Sequence, residues 1–165
     1  MWSHELMARY GVLIVFINVF ASSLGLPLPA TPTLMMAGAA IALAADGLSS
    51  GSLQFVALVA SAVVGGALAD FFWFHGGRRF GAQPFGRLLT ERKIDIERLW
   101  GHRGVRVLLI ARFVPGLAFF SVLLCGAKAV RPRSFVLHDC AGIGLWALAA
   151  LSAGAVSASA LIGAP

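Results

Sequence analysis

Charge is what this chain is short of. Only 12% of its 165 residues are Asp, Glu, Lys or Arg, while 59% are hydrophobic; a soluble domain carries about a quarter charged residues. With a mean hydropathy of +0.86, a soluble globular domain is excluded and an integral membrane protein is expected. Cysteine is scarce too. Cys125 and Cys140 both lie in apolar segments, where they read as small buried hydrophobes rather than a disulfide. There is no phosphate-binding glycine loop, no nucleophile elbow and no Cys-x-x-Cys. His75 and His102 lie beside basic stretches without converging ligands, so neither a metal nor another cofactor is expected, and the chain is not expected to be an enzyme. Residues 1–10 carry His4, Glu5 and Arg9, and no small-residue cleavage site follows the apolar run, so no cleavable signal peptide is expected.

Basic residues outnumber acidic ones, 13 to 7. Their distribution argues against nucleic acid. Arg78, Arg79, Arg87, Arg92, Lys93, Arg98, Arg103 and Arg106 crowd into one stretch between two apolar segments. A short basic loop of this kind marks the cytoplasmic side of a membrane protein and can touch anionic headgroups.

Along the chain, residues 1–9 are polar enough to lie at the interface as a short helix. Residues 10–45 are apolar but interrupted by Pro27, Pro29 and Pro32, and neither piece reaches the roughly 20 residues of a full span. A re-entrant hairpin bent at the prolines fits better. Residues 53–75 are long enough to cross once. Residues 76–106 form the basic loop, with a surface helix expected near 93–100. Residues 107–130 make a second re-entrant hairpin, and 134–163 a second transmembrane helix. The halves echo each other in their proline breaks, in Gly38 and Gly126, and in glycines ahead of Trp73 and Trp146. The expected fold is therefore one all-α membrane domain over 1–165: two re-entrant helical hairpins plus transmembrane helices in an inverted repeat.

The chemistry concentrates in the second hairpin. Arg112 is the single charge in residues 107–127, and Pro115-Gly116 follows three positions later. A central membrane arginine costs about 2.5–3.5 kcal/mol on insertion scales, and proline breaks the helix. Buried charge beside broken backbone points to a polar cavity inside the membrane. A guanidinium suits a lipid phosphate; otherwise Arg112 neutralises Asp70 or caps carbonyls freed at Pro115. Asp70, two turns before a basic helix end, reads as a proton or headgroup site, as the partner of Arg112, or as a structural ion pair. Secondary candidates are Pro29, Thr31, Arg78 and Asp139, the last with His138 at a helix entry, where an interfacial cap is the plainer reading.

Three stretches carry a resemblance: GLPLPATPTLMMAG (25–38), ADFFWFHGGRRFG (69–81), and ARFVPG (111–116) followed by Gly126, Phe135, Gly142 and Trp146. In these the chain resembles the DedA family, whose core is also called the VTT or SNARE-associated Golgi domain, and within it the branch often fused to a rhodanese domain; no rhodanese sequence lies in these 165 residues. The resemblance implies hairpins facing each other from opposite leaflets of a bacterial inner (plasma) membrane. It also implies lipid translocation or scrambling, with anionic headgroups as partners and protons or a second copy of the chain open. Arg112, Asp70, Pro115 and Gly116 carry over as headgroup residues. The sequence departs from the family at Thr31, where a carboxylate is usual, and at Ala118, where a second arginine is usual. Both departures bear on proton coupling and lipid specificity. The alternatives are a proton- or ion-coupled carrier of a small solute and a non-transporting membrane-organising factor.

Overall fold

The computed structural model describes residues 2–44, 48–80, 104–114 and 116–162. The described residues are helical, without strands. In chain order they form α1 (Trp2–Ser23), α2 (Ala30–Ala44), α3 (Leu48–Phe80), a 3-10 turn (Gly104–Arg106), α4 (Val107–Ala111), α5 (Leu117–Ala127) and α6 (Pro132–Ile162). Two helical stretches, Gly51–Arg79 and Pro132–Ala160, are long and apolar enough to cross a membrane.

Several boundaries differ from the sequence expectation. No separate helix covers 1–9, because α1 runs unbroken from Trp2. α3 starts at Leu48, not 53, and continues to Phe80, past the expected end at 75. Gly76-Gly77 does not stop it, because these glycines keep helical backbone and Gly77 serves packing. Part of the expected 76–106 loop is thus helix. The surface helix expected near 93–100 lies outside the described residues.

Helix ends follow local chemistry. α1 closes in a Schellman motif: Leu26 N–H donates to Ala21 O at 3.1 Å and Gly25 N–H to Ser22 O at 3.0 Å. Gly25, at φ +101°, takes the left-handed position that glycine adopts without strain. α2 then starts after Pro29, whose carbonyl accepts from the Thr33 hydroxyl at 2.9 Å and the Thr33 amide at 3.1 Å. Pro32 fits because first-turn amides have no partner within a helix.

The chain divides into two compact units, Met1–Gly66 with Gly144–Pro165 and Ala67–Ile143. The first buries Val15 and Val19 of α1, Ala30 and Leu34 of α2, Leu58 and Ala62 of α3, and Ala147, Ala150 and Leu151 of α6. The second is organised around Phe74, Leu108, Val122, Cys125 and Phe135. There the Phe74 and Phe135 rings stack with centroids 4.3 Å apart.

Small residues set the packing in both, as expected where lipid removes the hydrophobic drive between helices. In the first unit, Gly38 of α2 abuts the Leu151 carbonyl of α6, and Gly154 of α6 abuts the Met35 carbonyl of α2. In the second, Gly126 of α5 abuts the Phe74 carbonyl of α3, and Gly77 of α3 abuts the Leu123 carbonyl of α5. Each pair is reciprocal: every glycine faces the carbonyl three residues before its partner glycine. A further contact recurs in each unit. A Cβ on Gly65 would come within 2.8 Å of Phe16 O, and one on Gly142 within 2.8 Å of Leu108 O.

These contacts leave no space for a side chain at Gly126. Gly126→Val is expected to abolish a monodisperse peak in size-exclusion chromatography after detergent extraction. Gly76→Ala, whose Cβ would meet nothing nearer than 4.0 Å, should elute like wild type. Normal elution of Gly126→Val would overturn this packing.

Candidate functional site

α4 is only 5 residues long. It ends at Ala111, and the backbone then turns through Phe113 N–H to Ile110 O at 3.1 Å and Val114 N–H to Ala111 O at 3.2 Å. Gly116, at φ +81°, is the N-cap of α5, a left-handed backbone that favours glycine. Pro115 lies outside the described residues. Arg112 is thus the first residue past a helix that stops inside an apolar unit.

The Arg112 side chain turns inward, with 10% exposure. Its guanidinium forms an ion pair with Asp70 of α3, whose side chain is 4% exposed. One guanidinium nitrogen also lies 3.6 Å from Oδ1 of Asp139 on α6, 3% exposed. Three chain segments therefore supply one cation and two carboxylates to a single buried cluster. Taking such groups out of water costs several kcal/mol each, and only close pairing offsets it.

Two contacts bring these residues into register. The approach of Gly142 to Leu108 sets α4 against α6, with Arg112 one turn beyond Leu108 and Asp139 about one turn before Gly142. The Phe74–Phe135 stack sets α3 against α6. Asp70 lies four residues before Phe74 and Asp139 four after Phe135, so the stacked rings stand one turn from both carboxylates.

The other sequence candidates fall elsewhere. Gly116 is exposed at the start of α5. Arg78 is exposed in the last turn of α3, its guanidinium carbon 5.5 Å from the Phe74 ring centroid. Pro29 and Thr31 are exposed at the start of α2 and belong to the first unit, whereas all three members of the ion-pair cluster belong to the second. Asp139 corrects the plainer sequence reading: it is a buried partner of Arg112, not an interfacial cap. Its neighbour His138 turns away, its Nδ1 donating to Ser134 O at 2.8 Å. The available signal was position, since Asp139 shares a helical face with Phe135, Gly142 and Trp146.

The VTT domain matches residues 26–156, most of the chain and all of this cluster. The chain belongs to the VTT-domain family. Protein DedA of Escherichia coli (strain K12) is 28% identical over 152 residues, covering 87% of this chain and 68% of that protein. An uncharacterized membrane protein of Mycobacterium tuberculosis (strain ATCC 25618 / H37Rv) is 31% identical over 147 residues, 82% of this chain and 63% of its own length. One of Haemophilus influenzae is 29% identical over 146 residues, 82% and 65% respectively. No solved structure matches significantly. In this VTT-domain membrane protein the Arg-Phe-x-Pro-Gly stretch is the segment that delivers Arg112 to two carboxylates.

Removing one member of a buried ion pair costs about 3–5 kcal/mol because the other charge is left unmatched. Arg112→Met leaves both carboxylates without that cation, whereas Asp70→Asn leaves Asp139 beside it. Thermal unfolding in detergent is expected to show Arg112→Met as the more destabilised variant. Equal losses would mean that Asp139 does not support the arginine.

Proposed function

We propose that this protein is a membrane lipid translocase or scramblase that moves phospholipid or polyprenyl-phosphate headgroups across the bilayer, acting as a carrier rather than an enzyme. The observation that carries the reading is Arg112, buried between Asp70 and Asp139 at a break between two short helices. A guanidinium can take phosphate in bidentate geometry. A phosphate entering the cluster competes with a carboxylate for the guanidinium, so Arg112 exchanges one anionic partner for another. Such exchange replaces headgroup hydration with fixed polar groups and lowers the barrier to crossing.

Helix lengths support re-entrant hairpins. At 1.5 Å per residue, the 5 residues of α4 and the 11 of α5 reach about 8 and 17 Å, against a hydrocarbon core of about 30 Å. The apolar stretches Tyr10–Ser23 and Ala30–Leu43 are short as well. The reciprocal glycine pairs support an inverted repeat, with one hairpin entering from each leaflet. By charge, the basic stretch 76–106 belongs on the cytoplasmic side of a bacterial inner membrane. Anionic lipid headgroups are the partners.

A second reading, proton- or ion-coupled transport of a small solute, draws on the same cluster. One guanidinium faces two carboxylates, which leaves a formal excess of one negative charge among the three groups; a proton or cation could balance it.

The test is fluorescent-lipid scrambling in proteoliposomes at matched reconstitution. If Arg112 makes a charge-assisted contact worth about 1.5–3 kcal/mol, Arg112→Ala slows flipping by about 10- to 150-fold. No flipping by folded wild type would overturn the scramblase reading. Solute flux driven by a pH gradient and abolished in Asp70→Asn would establish the second.

A further inference from the structure

Beyond the carboxylates, α3 and α6 repeat one order of side chains in the second unit. On α3, Asp70, Phe74 and Arg78 follow at intervals of four; Asp139 and Phe135 on α6 and Arg131 just before it follow at the same interval in the reverse direction. The rings of the middle layer stack. Arg78 lies over the Phe74 ring, and the Arg131 carbonyl accepts the Phe135 amide at 3.0 Å. One turn past the aromatic layer, the unit therefore ends in cations.

Other segments bring more. Val105 and Val130 pack on the same aromatic cluster, next in sequence to Arg106 and Arg131. A Cβ on Gly126 would come within 2.9 Å of the Arg78 amide nitrogen, so the α5 end and Lys128 lie alongside. Arg78, Arg106, Lys128, Arg131 and Arg133 are all exposed. The carboxylates described in this unit, Asp70 and Asp139, are buried and paired with Arg112.

Part of this charge has a structural account. Arg78 and Arg79 sit in the last turn of α3, where the helix dipole favours cations. Arg131 and Arg133 do not: they flank Pro132 at the start of a 31-residue helix with no acidic residue in its first turn. There the dipole is already positive and unpaired amides add to it. Cations at that end repel the field they sit in, and an external anion relieves the repulsion.

Apolar surface adjoins this face. Phe71 and Phe72 on α3 and Val136 and Leu137 on α6 are exposed, Phe72 at 65% and Leu137 at 70%. Each lies one to two turns from the cations of its own helix. Cations next to exposed apolar side chains match an amphiphile, with phosphate at the arginines and acyl chains on the hydrophobic residues. A free phosphate or a nucleic acid would leave the apolar part unmatched.

We infer that this end of the second unit, built from Arg78, Arg106, Arg131 and Arg133 around the Phe74–Phe135 stack, is a binding surface for anionic phospholipid headgroups, separate from the buried Arg112 cluster. It does not depend on lipid being transported.

The experiment uses the full chain purified in detergent and measures its thermal midpoint with added phosphatidylglycerol, phosphatidylcholine of matched chains, or inorganic phosphate. Phosphatidylglycerol is expected to raise the midpoint by about 3–5 °C, and the other two to leave it nearly unchanged. Raising salt from about 0.05 to 0.5 M should shrink the effect. The double variant Arg131→Gln/Arg133→Gln should lose at least half of it while matching wild type in phosphatidylcholine. Equal shifts from both lipids, a full shift in the folded double variant, or a matching shift from inorganic phosphate would each overturn the proposal. If the double variant does not fold, a wild-type shift indifferent to salt overturns it and a salt-sensitive one supports it.

Discussion

A guanidinium in apolar surroundings has to be matched by negative charge at close range, and most of the second unit is arranged around that requirement. Asp70 comes from α3, Asp139 from α6, and Arg112 from a break that neither helix contains. If one of the three segments slid by a turn, a charge would be stranded at a cost of several kcal/mol. The cluster therefore acts as a register pin for α3, α4 and α6. It is also the only buried group of charges among the described residues, which makes it the natural place for polar chemistry.

Close backbone approach makes that pin possible. Between helices in lipid, packing rests on small residues, and both units use glycine against a carbonyl in the same reciprocal pattern. The likeness stops at the charges. Asp70 lies five residues after Gly65, and the residue five after Gly142 is Ala147; Asp139 lies three before Gly142, and the residue three before Gly65 is Ala62. Both alanines are fully buried. The same pattern of glycine contacts thus accompanies a charged centre in one unit and an apolar one in the other.

How much of this was legible follows residue by residue. Arg112 stands out because a lone charge in an apolar run has few explanations, and Pro115-Gly116 marks a break by local stereochemistry. Gly76-Gly77 misled about the end of α3: a glycine pair before arginines looks like a stop, yet Gly77 lies in continuous helix because the α5 backbone needs its missing side chain. Asp139 looked like a cap because it follows polar residues near a helix start. Its burial comes from Phe135 and Gly142, whose partners Phe74 and Leu108 lie far away in sequence.

The sequence by itself determined the solvent this chain folds for, the helical class and the position of the break, since hydropathy and the stereochemistry of proline and glycine act over neighbouring residues. Only the tertiary structure decided that Arg112 answers to two carboxylates, and that α3 and α6 present the same order of carboxylate, ring and cation. Those pairings join residues tens of positions apart. Their register is set where one backbone touches another, and no local pattern encodes that contact.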